Sequence, residues 1–434
     1  KFIFFSLTRL KIKMRLKFNT FIKPQRRREF LTTKTRRKSK FFVFDGINRI
    51  FKSCLYPVNP VRFFYFRAFV LSWSIIFLLG NRIIAADVFP KYKDVKVPPN
   101  EALFYEKLPN DFVKCNLCPW KCTIAPKARG MCRTRENQDG KLITLNYGRV
   151  STVNIDPIEK KPFFHFMPSE QALSIATAGC NVGCKFCQNW QLSKITPDES
   201  NSFYIPPEDV IRLAKRTKSK IIAYTYNEPI VFYEFMLDIS KLAKKEGIKT
   251  VVVSCGFVNT EPLKELLKYV DAYKVDLKGF NEKYYKDIVG ARLQPVLEAI
   301  KTVKNSGVHL EIVYLVVPTL NDNPDEVRKM CRWLKENIGT NVPLHFTRFH
   351  PDYKMINYPS TPVSTVENLI KIAMKEGLKY VYVGNVPPGN AGENTYCPKC
   401  KKLLIKRLGF GVVENNVTDG KCKFCGQKIY GVWK

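Results

Sequence analysis

Cysteine spacing constrains this chain more than any other feature of its sequence. Eleven of its 14 cysteines fall into three groups: Cys115, Cys118, Cys122 and Cys132; Cys180, Cys184 and Cys187; Cys397, Cys400, Cys422 and Cys425. Disulfide frameworks typify small secreted chains, whereas closely spaced thiols are typical of metal sites. The chain has only four histidines, so thiolates would supply most ligands, which favours zinc or iron-sulfur clusters. Cys54, Cys255 and Cys331 stand alone, and we expect them to be buried or inert.

The central group, Cys180-x3-Cys184-x2-Cys187, directly follows a strand-like run at residues 172–178. Three thiolates on one loop can bind three irons of a 4Fe-4S cube and leave the fourth iron open. Loops at the carboxyl ends of barrel strands commonly carry active sites. The alternative is a zinc site completed by a distant residue, although structural zinc usually takes two close pairs of ligands.

The two outer cysteine groups predict two small metal modules, one before and one after the central part of the chain. Cys115, Cys118, Cys122 and Cys132 lie within eighteen residues and predict either a structural zinc knuckle or an auxiliary iron-sulfur cluster; spacing does not separate these, and we favour the structural role. The last group has two CxxC pairs 21 residues apart, a zinc-ribbon pattern that serves nucleic-acid binding, protein docking or capping. We interpret the lysines around it as a solvated rim, without a strong nucleic-acid signal.

Between these modules, short apolar runs alternate with amphipathic stretches. We predict strands at 172–178, 221–226, 250–254, 272–277, 310–317, 343–349 and 380–383. Helical periods at 229–247, 323–339 and 364–377 end on glycine, as helices commonly do. The βα order predicts an α/β fold with a parallel, barrel-like sheet.

The amino-terminal part of the chain has a different composition. Residues 1–100 supply +19 of the net charge of +34, and residues 68–80 (AFVLSWSIIFLLG) form an apolar run that is short for a membrane span. The predicted segments are an extension at 1–100 with a signal or anchor at 62–86 and a linker at 87–100, a cysteine-rich module at 101–165, a barrel at 166–390 and a ribbon module at 391–434. Oxygen-sensitive clusters favour the cytoplasm; membrane association through 68–80 and export are the alternatives.

The central motif, with Phe186 before its last cysteine, resembles the signature of the radical S-adenosylmethionine (SAM) superfamily. The resemblance implies a partial TIM-type (βα)6 barrel of about six βα units. It also implies that the open iron chelates the amino and carboxylate groups of SAM. An electron, from a donor such as ferredoxin or flavodoxin, would then cleave SAM to methionine and a 5'-deoxyadenosyl radical that abstracts hydrogen from a substrate.

Four strand ends carry polar residues that imply SAM contacts. The sequence Tyr-Asn227-Glu228-Pro resembles the Gly-Gly-Glu-Pro loop that contacts the SAM amino group in related activases, although Asn227 departs from glycine. Asp276-Leu-Lys278 resembles the Asp-x-Lys element of pyruvate formate-lyase activating enzymes, in which the lysine meets the SAM carboxylate. A charge at a helix amino terminus and a surface ion pair are the alternatives. His350 is a candidate for ribose or carboxylate contact, and Asn385 lies in a loop where backbone can approach adenine.

A wider resemblance covers about residues 104–434, through phrases such as CNLCPWKC, LNYGRVSTVNIDPIEKKPFFHF, CNVGCKFCQNW and GENTYCPKC. These are similar to the radical SAM enzyme of the AmmeMemoRadiSam system, a family named for association with Memo-like and AMMECR-domain proteins. The leading hypothesis is a radical SAM enzyme acting on an unidentified substrate, for which a protein is one candidate. A glycyl-radical activase is the second hypothesis, and a noncatalytic zinc-ribbon scaffold that binds nucleic acid or protein is the third.

Overall fold

The structure is a computed structural model that describes residues 97–434. No helix within that range combines the length and the apolar character needed to cross a membrane. The signal or anchor predicted at 62–86 lies outside the described residues and stays a prediction.

An amino-terminal module contains six short strands in two antiparallel sheets. Their bounds are β1 Asn100–Glu101, β2 Tyr105–Lys107, β3 Val113–Cys115, β4 Thr123–Ile124, β5 Arg135–Gln138 and β6 Lys141–Thr144. One sheet has the order β1-β6-β5 and the other β2-β3-β4. Strands this short bury little apolar surface, and the module is also stabilised by a buried ion pair between Arg135 and Glu234, a residue of the main domain.

The main domain is built on one eight-stranded sheet. A separate two-stranded pair consists of β7 Arg149–Val150 and β10 Phe203–Tyr204. The strands of the main sheet are β8 Thr152–Pro157, β9 Gln171–Ala176, β11 Ile221–Tyr224, β12 Lys249–Ser254, β13 Ala272–Asp276, β14 His309–Val316, β15 Leu344–Arg348 and β16 Val381–Gly384. The order is β16-β15-β14-β13-β12-β11-β9-β8. Seven strands, β9 and β11 to β16, run parallel, and β8 is antiparallel to β9. The α/β fold with a parallel sheet is therefore confirmed.

Helices connect the parallel strands and cover the sheet. They are α1 Trp190–Ser193, α2 Pro207–Arg216, α3 Tyr233–Lys245, α4 Thr260–Leu267, α5 Glu282–Tyr284, α6 Leu293–Ser306, α7 Pro324–Ile338 and α8 Val363–Lys375. Short 3-10 turns occupy Ile158–Lys160, Pro229–Phe232, Tyr353–Met355 and Ala391–Glu393, and a π-helical turn occupies Tyr285–Val289. The start of α7 shows how sequence sets these bounds, because the Asn323 side chain accepts from the Asp325 and Glu326 amides and Pro324 takes the first position.

The carboxyl-terminal ribbon consists of β17 Thr395–Tyr396, β18 Leu403–Leu408, β19 Gly411–Asn415, β20 Val417–Thr418 and β21 Lys421–Cys422. It packs at the amino ends of the parallel strands. The buried Arg407 donates to the Phe164 carbonyl at 2.7 Å, and Val432 pairs with Phe166. The Tyr430 hydroxyl accepts from the Leu310 amide near the start of β14. The ribbon thus caps this end of the sheet, away from the strand ends that carry Cys180.

Candidate active site

A cavity of about 390 Å³ lies at the carboxyl ends of the parallel strands. All three central cysteines line it, together with five of the six residues that the sequence nominated for SAM contacts: Asn227, Glu228, Asp276, Lys278 and Asn385. Carboxyl ends of parallel strands meet at one edge of a sheet, so residues far apart in sequence converge there. The architecture therefore brings thiols, carboxylates and an ammonium group to one cavity.

The loop bearing Cys184 is fixed against the π-helical turn. The Gly183 amide donates to the Val289 carbonyl, and the Lys185 amide to Ile288, both at 2.9 Å. Gly290 has φ +65°, and a Cβ placed on it would lie 3.1 Å from the Gly183 Cα. Two glycines therefore let the loop and the turn approach closely, and this contact sets the position of the cysteine between them.

Asn227 positions the chain that leads into Cys180. Its side-chain amide donates to the Gly179 carbonyl at 3.0 Å and to the Thr177 hydroxyl at 3.2 Å. The glycine of the related activases could not make these contacts. The substitution at this position thus adds a clamp between the ends of β9 and β11.

Glu228 combines a helix-capping contact with a place in the cavity lining. One carboxylate oxygen accepts from the Ser254 hydroxyl at 2.7 Å and from the Ile230 amide at 3.3 Å, and the other accepts from the Cys255 amide at 2.8 Å. The contact with the Ile230 amide is the helix-terminus role that we gave as the alternative. Burial raises the Glu228 pKa against the lowering effect of these hydrogen bonds.

Asp276 and Lys278 form a pair in the cavity wall. The Lys278 ammonium lies 3.4 Å from an Asp276 carboxylate oxygen, and Lys274 contacts the other oxygen. Burial acts to raise the Asp276 pKa, but the two ammonium charges outweigh it and hold that pKa below its usual value. This is a largely buried pair that lines a cavity, so the surface ion pair that we considered does not describe it.

Asn385 and His350 are placed differently. Asn385 has a left-handed backbone with φ +58°, and its side chain donates to the Arg348 carbonyl at 3.0 Å. His350 is exposed, lies outside the cavity lining, and its ring contacts the Pro351 carbonyl. Its predicted contact with SAM is not supported by this position, because the chain leaves the strand at Arg348 and buries Phe349 instead.

Several lining residues were missed by the sequence analysis. Cys255 is buried, at 7% exposure, which agrees with the expectation that it is buried or inert, but the sequence did not indicate that it lines the cavity beside Cys180. A second group joins the Asp156 carboxylate of β8 to Lys161 at 2.6 Å and to the Tyr226 hydroxyl. Lys274 also lines the cavity. Its charge within the buried strand β13 is the sequence signal that could have identified it as a cavity residue. Cys331, in contrast, is fully buried as expected.

The ribbon thiols have the geometry of a single-metal site. The sulfurs of Cys397 and Cys425 lie 3.6 Å apart and those of Cys400 and Cys422 lie 3.7 Å apart. All four sulfurs lie within 4.8 Å of one another. Tetrahedral zinc with Zn–S of about 2.3 Å requires sulfurs about 3.8 Å apart. The donor set therefore fits one zinc ion.

The cavity residues also fit the cofactors implied by the central motif. Three thiols from one loop line a space that offers both a carboxylate and an ammonium group, the complements of an amino acid's ammonium and carboxylate. A 4Fe-4S cluster would be held by Cys180, Cys184 and Cys187. Asp276, Glu228 and Lys278 are among the charged groups of the cavity lining that are available to the amino-acid end of SAM.

Comparison with known proteins places this site in a family. The radical SAM superfamily model matches residues 174–334. An uncharacterized protein of Methanocaldococcus jannaschii is 46% identical over 76% of this chain and 98% of its own length. The pyruvate formate-lyase 1-activating enzyme of Escherichia coli K12 is 27% identical over 47% of this chain and 89% of its own. A domain of a pyruvate-formate lyase-activating enzyme from Bacteroides vulgatus is 16% identical over 38% of this chain and 98% of its own, with a TM-score of 0.34.

These findings define a radical SAM domain that is homologous to pyruvate formate-lyase activating enzymes. The chain belongs to the radical SAM superfamily, in the same family as the M. jannaschii protein. Membership implies an enzyme with a 4Fe-4S cluster and SAM. The cysteine triplet lines a cavity at the carboxyl ends of the parallel strands, the edge at which barrel enzymes carry their active sites.

Proposed function

We propose that this protein cleaves SAM reductively and uses the resulting radical to abstract hydrogen from a substrate. The observation that carries the proposal is the convergence of Cys180, Cys184 and Cys187 with Glu228 and Lys278 on one cavity. When bound, the cluster and SAM supply a 5'-deoxyadenosyl radical and methionine. The chain's own residues hold the three thiolates in place, orient the amino-acid end of SAM and limit the access of water.

Lys278 is proposed to meet the SAM carboxylate. Lys278 is largely buried, and its ammonium lies 5.8 Å from the centre of the Phe186 ring. The ammonium also forms an ion pair with the Asp276 carboxylate. Burial lowers the Lys278 pKa, but the neighbouring Asp276 and Cys184 charges outweigh this effect and keep the pKa above its ordinary value. The side chain therefore presents a fixed positive charge in the cavity.

Electron paramagnetic resonance of the anaerobically reconstituted, dithionite-reduced protein tests this binding mode. Added SAM should change the spectrum of the central cluster in the wild type. Lys278→Met should keep the cluster signal but require at least about tenfold more SAM for the same change, equivalent to about 1.4 kcal/mol. Lys283→Met, at an 87% exposed position, is the matched control. An unchanged spectrum in the wild type would contradict the proposal.

A glycyl-radical activase is the second candidate, and homology to the activating enzymes favours it. Such an enzyme takes a glycine loop of a partner as its substrate. A glycyl-radical signal on pyruvate formate-lyase incubated with this protein, SAM and reductant would support this specific activity. Absence of that signal, with SAM still cleaved, would direct the search to other substrates.

The resemblance to the AmmeMemoRadiSam enzyme suggests partners. We propose Memo-like and AMMECR-domain proteins as associates, and ferredoxin or flavodoxin as the electron donor. Support comes from the shared sequence phrases around the amino-terminal cysteines and the ribbon. Co-purification of the full chain with each purified candidate tests the association, and failure of both to bind would remove it.

A further inference from the structure

The four amino-terminal cysteines form a second thiol site that SAM cleavage does not use. Cys115, Cys118, Cys122 and Cys132 line one small cavity, which also receives Trp120, Arg135 and Asn181. Tight turns bring the thiols together, since Lys121 and Arg133 both adopt left-handed backbone conformations beside them. The sequence spacing left zinc and an iron-sulfur cluster as alternatives for this site.

Sulfur spacing provides the comparison. One tetrahedral ion brings its thiolates to about 3.8 Å from one another, and the ribbon cysteines have that spacing. Within residues 97–434, the ribbon cysteines are the one group that places three or more ligand atoms together as a single ion requires, and neither the amino-terminal quartet nor the central triplet does so. A cube of four irons and four sulfides is larger than one ion, so its thiolates lie farther apart. In lacking the spacing of a single-ion site, the quartet resembles the triplet, and the radical SAM domain implies an iron-sulfur cluster for this protein.

Hydrogen-bond donors surround these sulfurs. The Thr134 hydroxyl donates to the Cys132 sulfur at 3.2 Å, and the Met131 amide donates to Cys122 at 3.5 Å. A guanidinium nitrogen of Arg135, 1% exposed, lies 3.5 Å from the Cys115 sulfur. A buried cation and such donors stabilise the negative charge of a thiolate-ligated centre.

We propose that Cys115, Cys118, Cys122 and Cys132 bind a second 4Fe-4S cluster. With four thiolates it has no open iron, so it does not bind SAM. Held by these four residues, the cluster would supply a one-electron site between a reduced low-potential donor, a ferredoxin or flavodoxin, and the central triplet. The Trp120 indole donates to the carbonyl of Asn181, the residue after Cys180, and thereby joins the two cysteine loops.

Metal analysis of the full chain, produced with ample iron and purified anaerobically, tests this site. The variant Cys180→Ala/Cys184→Ala/Cys187→Ala should retain about four irons and four sulfides, against about eight of each in the wild type. Cys118→Ala/Cys122→Ala should lose about four irons and keep the cluster whose spectrum responds to SAM. The matched control, Cys397→Ala/Cys400→Ala, should lose zinc and keep all its iron.

The outcomes separate this proposal from the proposed function. A triple variant without iron and with a second zinc would overturn the second cluster. Equal iron in the wild type and the triple variant would show that the central triplet holds no cluster, which would sink the proposed function and leave the second cluster standing. Where the double variant fails to fold, Mössbauer spectra of the triple variant decide between an iron-sulfur cluster and adventitious iron.

Discussion

The indole nitrogen of Trp120 donates a hydrogen bond of 2.6 Å to the backbone carbonyl of Asn181. This bond joins the amino-terminal cysteine loop to the loop of the central triplet, since Asn181 directly follows Cys180. The Trp120 ring also packs edge-on against Phe257, with ring centres 5.4 Å apart. The two cysteine loops are therefore structurally coupled.

Trp120→Phe should remove this hydrogen bond and retain most of the packing. We expect a loss of about 1 kcal/mol in the free energy of unfolding, because the carbonyl acceptor loses its partner. Thermal unfolding of the anaerobic protein, followed by visible absorbance of the clusters, measures it. Trp190→Phe, at a 37% exposed residue stacked on Tyr353, should have the smaller effect. Equal effects of both variants would argue against the coupling.

Gly290→Ala should weaken the hold on the central cysteine loop. The added Cβ would lie 3.1 Å from the Gly183 Cα and 3.2 Å from its nitrogen. Gly247→Ala is the matched control, because its φ of +69° resembles the +65° of Gly290 but nothing lies within 4 Å. Both should cost about 1–2 kcal/mol from the left-handed backbone. Iron content after reconstitution should fall only in Gly290→Ala, and equal iron in both variants would contradict this account of the loop.

Removing zinc from the ribbon should destabilise the fold without stopping SAM cleavage. The ribbon contacts the amino ends of the strands through Arg407 and Val432, whereas the cavity lies at the carboxyl ends. Cys400→Ala/Cys425→Ala should therefore lower the melting temperature and lose one zinc per chain. Below that temperature, 5'-deoxyadenosine formation should persist. Immediate loss of product at low temperature in a folded variant would assign the ribbon a catalytic role.

Stability should fall in acid partly because of His165. This ring is fully buried between the Tyr430 carbonyl and the Tyr382 hydroxyl, and burial lowers its pKa from 6.5 to about 3. Between these values the unfolded state binds a proton and the folded state does not. The free energy of unfolding therefore decreases as the pH falls from 6.5 to about 3, by at most about 1.4 kcal/mol per pH unit.

His165→Asn should flatten this dependence, measured by denaturant unfolding across the same pH range. His350→Asn, which removes an exposed histidine in place of the buried one, serves as the control. An identical slope in the wild type and His165→Asn would show that other groups account for the acid sensitivity.

The parallel sheet was predictable because its strands are nearly continuous apolar runs, as buried parallel strands are. All seven predicted strands are present, including β14, expected at 310–317 and observed at His309–Val316. The antiparallel β8 Thr152–Pro157 was missed, because Asn154 and Asp156 break any apolar pattern there. Both polar side chains hydrogen-bond with the Tyr226 hydroxyl. This strand lies in the segment predicted as the amino-terminal module, so the sheet begins before the predicted boundary at residue 166.

The site was predictable where residues are close in sequence and much less so where the fold brings them together. Cys180, Cys184 and Cys187 could be recognised as one group of metal ligands from their spacing, and the structure places all three in the cavity lining. Cys255 has no such pattern, and only the pairing of neighbouring strands carries it to the cavity beside Cys180. His350 also lies close to a strand end, yet it is exposed and outside the cavity lining, so its predicted contact with SAM stays a prediction.

The central claim is tested most directly by the formation of 5'-deoxyadenosine. The full chain, reconstituted anaerobically with iron and sulfide, is incubated with dithionite and SAM, and the product is quantified by liquid chromatography and mass spectrometry. The account predicts product from the wild type and from Cys331→Ala, a fully buried cysteine outside the site, and none from Cys184→Ala. A wild type that holds only zinc and yields no product would contradict it.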